Sequence, residues 1–172
     1  NKACSAAETI QEWNPEVQVS VIPEFLQDEN ILPLIRQYDF VVDASDQLQN
    51  KFLINDACVT AGVPFCHGGI EGWDGQVMTY LPKQNLPCYR CVFESLPADQ
   101  ESKPIGVIGV TAGIIGTIQA SEAIRYLLGE QDGLLKGTLL RFSGQTMQFR
   151  KIPLGKCAPH CPVCHGVPDA NP

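Results

Sequence analysis

The chain has 172 residues, 44% of them hydrophobic, with 12 Lys and Arg against 19 Asp and Glu and a formal net charge of −7. That length fits one domain with a sizeable core, and the acidic balance, with Lys and Arg scattered, argues against a nucleic-acid surface. No apolar run approaches the roughly 20 residues of a membrane span, and eight cysteines without a secretory signal point to reduced thiols and a cytoplasmic protein.

Taken in order, residues 2–13 are good helix formers that stop before Asn14-Pro15, so the chain is expected to open inside a helix. Val17–Ile22 alternates β-branched and polar residues like a strand. A short helix is expected over 30–37, with Pro33 tolerable only near its first turn. Tyr38–Asp43 reads as a compact strand ending on an acid, 47–61 as a helix stopped by Gly62, and Val63–Cys66 as another short buried strand. This alternation predicts an α/β fold with parallel strands and helices on the sheet faces. The second half changes character. Gln76–Leu81 reads as an antiparallel strand, and 95–105 as a mobile crossover loop. Residues 107–128 read as a long apolar helix, studded with Gly109, Gly113 and Gly116 and stopped by Gly129. Small residues at that spacing serve either tight core packing or a dimer face. A hairpin around Ser143-Gly144 follows.

Two cysteine pairs carry the strongest local signal: Cys88-Tyr-Arg-Cys91 and Cys161-Pro-Val-Cys164. A two-residue spacer turns both thiolates of a pair onto one tetrahedral metal, and two such pairs make the closed four-thiolate site typical of structural zinc. The long stretch between them predicts a clip joining a mid-chain loop to the C-terminal tail. Iron, redox and disulfide uses of the same thiols remain open. Cys4, Cys58, Cys66 and Cys157 read as plain buried or tail residues, although Cys157, His160 and His165 crowd the second pair.

Asp43-Ala-Ser-Asp46 stands where a strand gives way to a helix. The carboxyl ends of strands line the ligand crevice in open parallel sheets, and a carboxylate there suits magnesium held against phosphate oxygens. Taken alone, the motif favours Asp46 as a helix cap. Its context reverses that order. Tyr38 to Asp46, Lys51-Phe-Leu-Ile-Asn55-Asp-Ala-Cys58, Gly75-Gln-Val, Pro87-Cys-Tyr-Arg-Cys91, Gly106 to Gly109, Gly116-Thr-Ile-Gln-Ala120, Glu122-Ala-Ile124 and Cys161-Pro-Val-Cys164 together resemble the ThiF/MoeB/HesA family. These are bacterial relatives of the ubiquitin-activating enzymes.

The resemblance implies a Rossmann-like sheet with parallel then antiparallel strands and a zinc-clipped C-terminal part. It implies ATP- and magnesium-dependent adenylylation of the Gly-Gly terminal carboxylate of a ubiquitin-like sulfur-carrier protein, by a homodimer. Asp46 matches the family's magnesium-binding acid and the catalytic position. Lys2 matches a lysine that contacts ATP phosphates, and Lys51 stands where an arginine is common, so Lys2, Asp46 and Lys51 are the expected nucleotide contacts. Cys88, Cys91, Cys161 and Cys164 match the structural zinc ligands. On this reading, 1–172 is a single domain forming the C-terminal two-thirds of an adenylation domain. The glycine-rich nucleotide loop would precede residue 1, and this piece alone would be inactive. Ser102 stands where many relatives carry a loop cysteine, which implies no covalent intermediate there. Two other readings compete: a non-catalytic zinc module that docks a ubiquitin-like protein, and a tRNA-modifying dehydratase of the same superfamily.

Overall fold

The computed structural model describes residues 1–93 and 106–165. Helix α1 (Lys2–Trp13) starts at Asn1, whose side-chain oxygen accepts the Ala3 N–H at 2.8 Å; this is ordinary N-cap chemistry. None of its residues is buried. Helix α2 (Asp28–Ile35) begins ahead of the expected residue 30, where the Asn30 side-chain oxygen accepts the Gln27 N–H at 2.8 Å. Pro33 therefore falls in the second turn rather than the first, and the helix stops soon after it.

Strands β1 (Val41–Asp43) and β2 (Phe65–Glu71) pair in parallel, joined by helix α3 (Leu48–Ala61), the crossover that parallel neighbours require. Helix α3 closes at Gly62, whose φ of +70° lets the Gly62 and Val63 N–H groups return to the Val59 and Cys58 carbonyls. Strands β3 (Asp74–Tyr80), β4 (Thr138–Ser143) and β5 (Gln148–Pro153) then add antiparallel in sequence order, giving one five-stranded sheet. Helix α4 (Tyr89–Val92) is a single turn carrying the first cysteine pair, and helix α5 (Gly109–Leu127) crosses back over the sheet. The anticipated α/β fold, parallel strands first and antiparallel strands after, is what forms.

Alternation along β2 and β3 splits the core in two. Phe65, Met78 and Tyr80 pack with α2, α3 and the cysteine loops, whereas Cys66 and Val77 pack with Ile115 of α5 and with Leu140 and Phe142 of β4. Gly75 lies on the α5 face, where an added Cβ would stand 2.5 Å from Ile115 Cγ1, so glycine there lets the helix sit close to the sheet.

Two expectations are corrected. Residues 17–22 form no strand: Val17, Val21 and Ile22 are exposed, and no neighbouring strand among the described residues takes up their backbone groups. The glycines of α5 do not serve core packing either. The buried side of that helix is Thr111, Ile115, Gln119 and Glu122, while Cβ atoms added at Gly109, Gly113 and Gly116 would meet nothing within 4 Å among the described residues.

Candidate active site and metal centre

Strand β1 ends on Asp43, and its register opposite His67 of β2 brings the two side chains together. Both are buried, at 1% and 0% exposure. The Asp43 carboxylate is fully engaged. Its Oδ2 faces His67 Nδ1 at 3.0 Å and Lys51 Nζ at 3.5 Å, and its Oδ1 accepts the Ser45 N–H at 3.0 Å and the Ser45 hydroxyl at 2.6 Å. From the opposite side of the sheet, Gln119 Nε2 donates to the Asp43 carbonyl at 2.8 Å and to the Cys66 carbonyl at 3.1 Å.

The charge states follow from this packing. Burial alone would raise the Asp43 carboxyl, but the His67 hydrogen bond, the Lys51 charge and the Ser45 hydrogen bond outweigh it and hold the group below its usual range. Burial pushes His67 down despite its hydrogen bond to Asp43, and the imidazole is neutral. An ionised Asp43 only accepts, so the ring proton sits on Nδ1. Nε2 is then left facing the Gln76 amide at 3.5 Å. Burial also lowers Lys51, offset in part by Asp43. The cluster thus holds one buried anion and one cation, an arrangement a low-dielectric interior tolerates.

Asp46 stands three residues on and behaves in the opposite way. Its side chain is 81% exposed and lies 4.0 Å from the fully exposed Lys2 ammonium. It does not cap α3: the capping position belongs to Gln47, which makes no side-chain cap bond. Lys2 and Asp46, far apart in sequence, therefore meet at the carboxyl end of β1. Lys51 does not join them. Its ammonium turns inward, donating to the Gly68 carbonyl at 2.8 Å and leaning on Asp43. Ser102 and the whole of the expected 95–105 loop lie outside the described residues.

Below this turn, α3 reaches the cysteine loops. Asn55 Oδ1 accepts the Tyr89 N–H at 2.8 Å, and Asp56 takes a two-pronged contact from Arg90, at 2.7 Å from both Nε and Nη2. Tyr89 packs against His67 with ring centres 4.5 Å apart. The flanking thiols of Cys88, Cys91, Cys161 and Cys164 lie within 4.8 Å of one another, with nearest sulfur pairs at 3.3, 3.6 and 3.9 Å. A tetrahedral thiolate site with metal–sulfur bonds of about 2.3 Å has edges of about 3.8 Å, so these residues could hold a metal ion. Cys157 crowds the group, its sulfur 2.8 Å from that of Cys164, whereas His160 and His165 are exposed and outside it. Cys58 and Cys66 are fully buried, their thiols pushed up to about 12 chiefly by burial.

Sequence reasoning missed His67 and Gln119. The one signal for His67 was a histidine directly after a short apolar strand; Gln119 lies in the Gly116–Ala120 stretch that carries the family resemblance, but nothing there assigned it a role.

Set against known families, residues 1–163 match the ThiF family. The chain belongs to the ThiF family. This ThiF-family chain is 39% identical over 174 residues to the sulfur carrier protein adenylyltransferase of Thermus thermophilus, covering 97% of the chain and 64% of that protein. It is 38% identical over 166 residues to the SAMP-activating enzyme E1 of Haloferax volcanii, covering 95% and 60% respectively. An adenylyltransferase and sulfurtransferase of Dictyostelium discoideum is 36% identical over 171 residues, of which the chain spans 40%. Among solved structures, E. coli MccB with MccA-N7isoASN superposes with a TM-score of 0.80 at 18% identity, over 95% of this chain and 51% of MccB; that likeness concerns the fold. The chain thus spans well under the full length of each protein it matches.

Proposed function

We propose that the protein carrying this chain uses ATP to adenylylate the C-terminal Gly-Gly carboxylate of a ubiquitin-like sulfur-carrier protein. One observation carries the reading. Asp46 is presented to solvent at the carboxyl end of a parallel strand, beside Lys2 and free of any capping duty. The names of the Thermus and Haloferax relatives point the same way.

In the reaction, the carrier carboxylate attacks the α-phosphorus of ATP, an acyl–phosphate bond forms, and pyrophosphate leaves with the electrons of the broken P–O bond. Catalysis of this kind is mainly positioning and charge neutralisation. Asp46 would hold magnesium, which supplies neutralisation of phosphate charge when bound. Lys2 would contact the phosphates directly, and Lys51 would serve the nucleotide site through Asp43. Cys58 and Cys66 take no part as nucleophiles, because their burial disfavours the thiolate. The four clustered thiols are read as structural zinc ligands. The open glycine face of α5 is read as the contact with a second copy, and the protein as cytoplasmic.

ATP–pyrophosphate exchange, measured on the full-length protein with Gly-Gly-ending carriers, tests the reading. Carrier-dependent exchange is expected, with Asp46→Asn lowering it at least about a hundredfold at unchanged melting temperature. Full exchange in that variant refutes the role of Asp46. Carrier binding without exchange leaves a docking module instead.

A further inference from the structure

Asp46 has little that fixes its own direction: its side chain is largely in solvent, and Lys2, with which it pairs among the described residues, is fully exposed. What holds it must therefore act on the chain to either side. The segment before it is tied by Ser45, whose N–H and hydroxyl both bond Asp43 Oδ1. The segment after it is tied by Lys51, in the first turns of α3, whose ammonium reaches Asp43 Oδ2 and the Gly68 carbonyl. One buried carboxylate thus staples both flanks of the exposed acid. The staple works only if that carboxylate keeps a fixed plane, and the group that sets its plane from the sheet is the His67 imidazole at 3.0 Å.

We propose that His67 is a positioning residue: through Asp43 it sets the turn that presents Asp46. The inference rests on the reading of Asp46 as the functional acid, but it makes a claim about the turn that stands without activity. The ring itself has no freedom. It is fully buried, packs on Tyr89 at 4.5 Å and on Phe93 at 6.2 Å between ring centres, and lies beside Gln76 on its other nitrogen. A plain core histidine would need one satisfied nitrogen and nothing more. Here the bonded carboxylate also governs the two residues that bracket Asp46, and Gln119 pins the backbone of the same aspartate to β2 from the other face.

Two amide substitutions separate these roles, because each resembles one half of the imidazole. In His67→Asn the amide nitrogen falls near the position of Nδ1 and can still donate to Asp43. In His67→Gln it falls near Nε2 and cannot do so from the same place. Both variants are made in the full-length protein and read in two ways: amide hydrogen exchange at Ser45 and Asp46, and carrier-dependent ATP–pyrophosphate exchange resolved into kcat and KM for the carrier.

His67→Asn is expected to keep protection and kcat within about twofold of wild type. His67→Gln is expected to lose about tenfold in Ser45 protection and about tenfold in kcat, with carrier KM and the protection of Val77 and Met78 in β3 unchanged. Equal behaviour of the two variants, or a loss spread evenly over β3, overturns the proposal. Should the wild type show no exchange activity, the functional reading fails by itself, and the amide protection still decides the positioning role. Where a histidine variant does not fold, Lys51→Gln withdraws the second donor from the same carboxylate. It must then show the same local loss at Ser45, and its absence overturns the proposal equally.

Discussion

Removing one clustered thiol, in Cys161→Ser, tests most directly whether the four thiols form the proposed metal clip. Cys88 and Cys161 stand 73 positions apart, as do Cys91 and Cys164. A cross-link closing a loop of that length removes unfolded-chain entropy worth about 4 kcal/mol at room temperature, before any contribution from the metal–sulfur bonds themselves. Domains commonly have only about 5–15 kcal/mol of stability in all, so the variant stands near the threshold of folding. For a chain of this size each kcal/mol moves the melting temperature by about 2–4 °C, which puts the expected drop at roughly 8–16 °C. The assay pairs thermal unfolding with metal content per chain, and includes Cys4→Ser in α1 as a control that should change neither. A chelator should lower the wild-type midpoint toward that of Cys161→Ser and leave the variant almost unmoved, because a metal held by these four thiols would couple its binding to folding. Unchanged metal content together with an unchanged midpoint in Cys161→Ser would refute both the ligand assignment and the loop-closure argument.

Gly68→Ala places a Cβ on the Gln119 amide, forcing that side chain off the Asp43 and Cys66 carbonyls; a loss of about 1–3 kcal/mol in denaturant unfolding is expected, and no loss would show that Gln119 relaxes freely. Arg90→Lys replaces the two-pronged contact with Asp56 by a point charge and should cost about 1 kcal/mol, discounted because both groups are partly exposed; a neutral result in chemical unfolding would leave the α3 link to Asn55 and to the Phe52 packing. Acid should weaken the fold in a defined order. Burial depresses His67, so as pH falls below about 6.5 the unfolded chain takes a proton that the folded chain refuses, and stability drops. Asp43, also depressed, adds its own loss below about 4, where its unfolded counterpart protonates first. His67→Asn should remove the first of these losses, and the difference between its pH–stability curve and that of wild type cancels proton uptake by the thiols; parallel curves between about pH 6.5 and 5 would refute the neutral-imidazole assignment.

Where local chemistry decided an element, the sequence reading held. Residues 2–13, the helix ending at Gly62 and the helix ending at Gly129 carry their terminators in the chain. Gly129, at φ +80°, lets the Glu130 N–H close on the Arg125 carbonyl. Strands fared worse, because a strand is defined by its neighbour. Val17–Ile22 has the right alternation and no partner among the described residues. Tyr38–Asp43 forms a strand only at Val41–Asp43, opposite Phe65–His67. The strand expected to stop at Cys66 continues to Glu71 through Gly68 and Gly69. Glycines read as a break there, yet Gly68 is required by the approach of Gln119 from a helix over fifty residues away in the chain. The spacing of α5 glycines was visible and its meaning was not, since which side of a helix meets the sheet depends on all that packs beside it.

The acidic motif shows the same limit in its sharpest form. Asp43 and Asp46 are alike in chemistry and three residues apart, yet one is buried and the other is exposed. The buried one lies within β1, where His67, 24 positions further along, faces it across the parallel pair. Once Asp43 is buried and ionised, the interior requires a counter-charge close by, or the carboxylate would protonate instead. The Lys51 ammonium is 3.5 Å away and fills that need. Its charge is thereby committed within the fold, whereas the Lys2 ammonium stands fully exposed beside Asp46. A basic residue beside a phosphate site is thus a candidate ligand only after the buried carboxylates near it have their counter-charges. Under the proposed function, that test favours Lys2 as the cation for phosphate, with Lys51 turned inward beneath the turn.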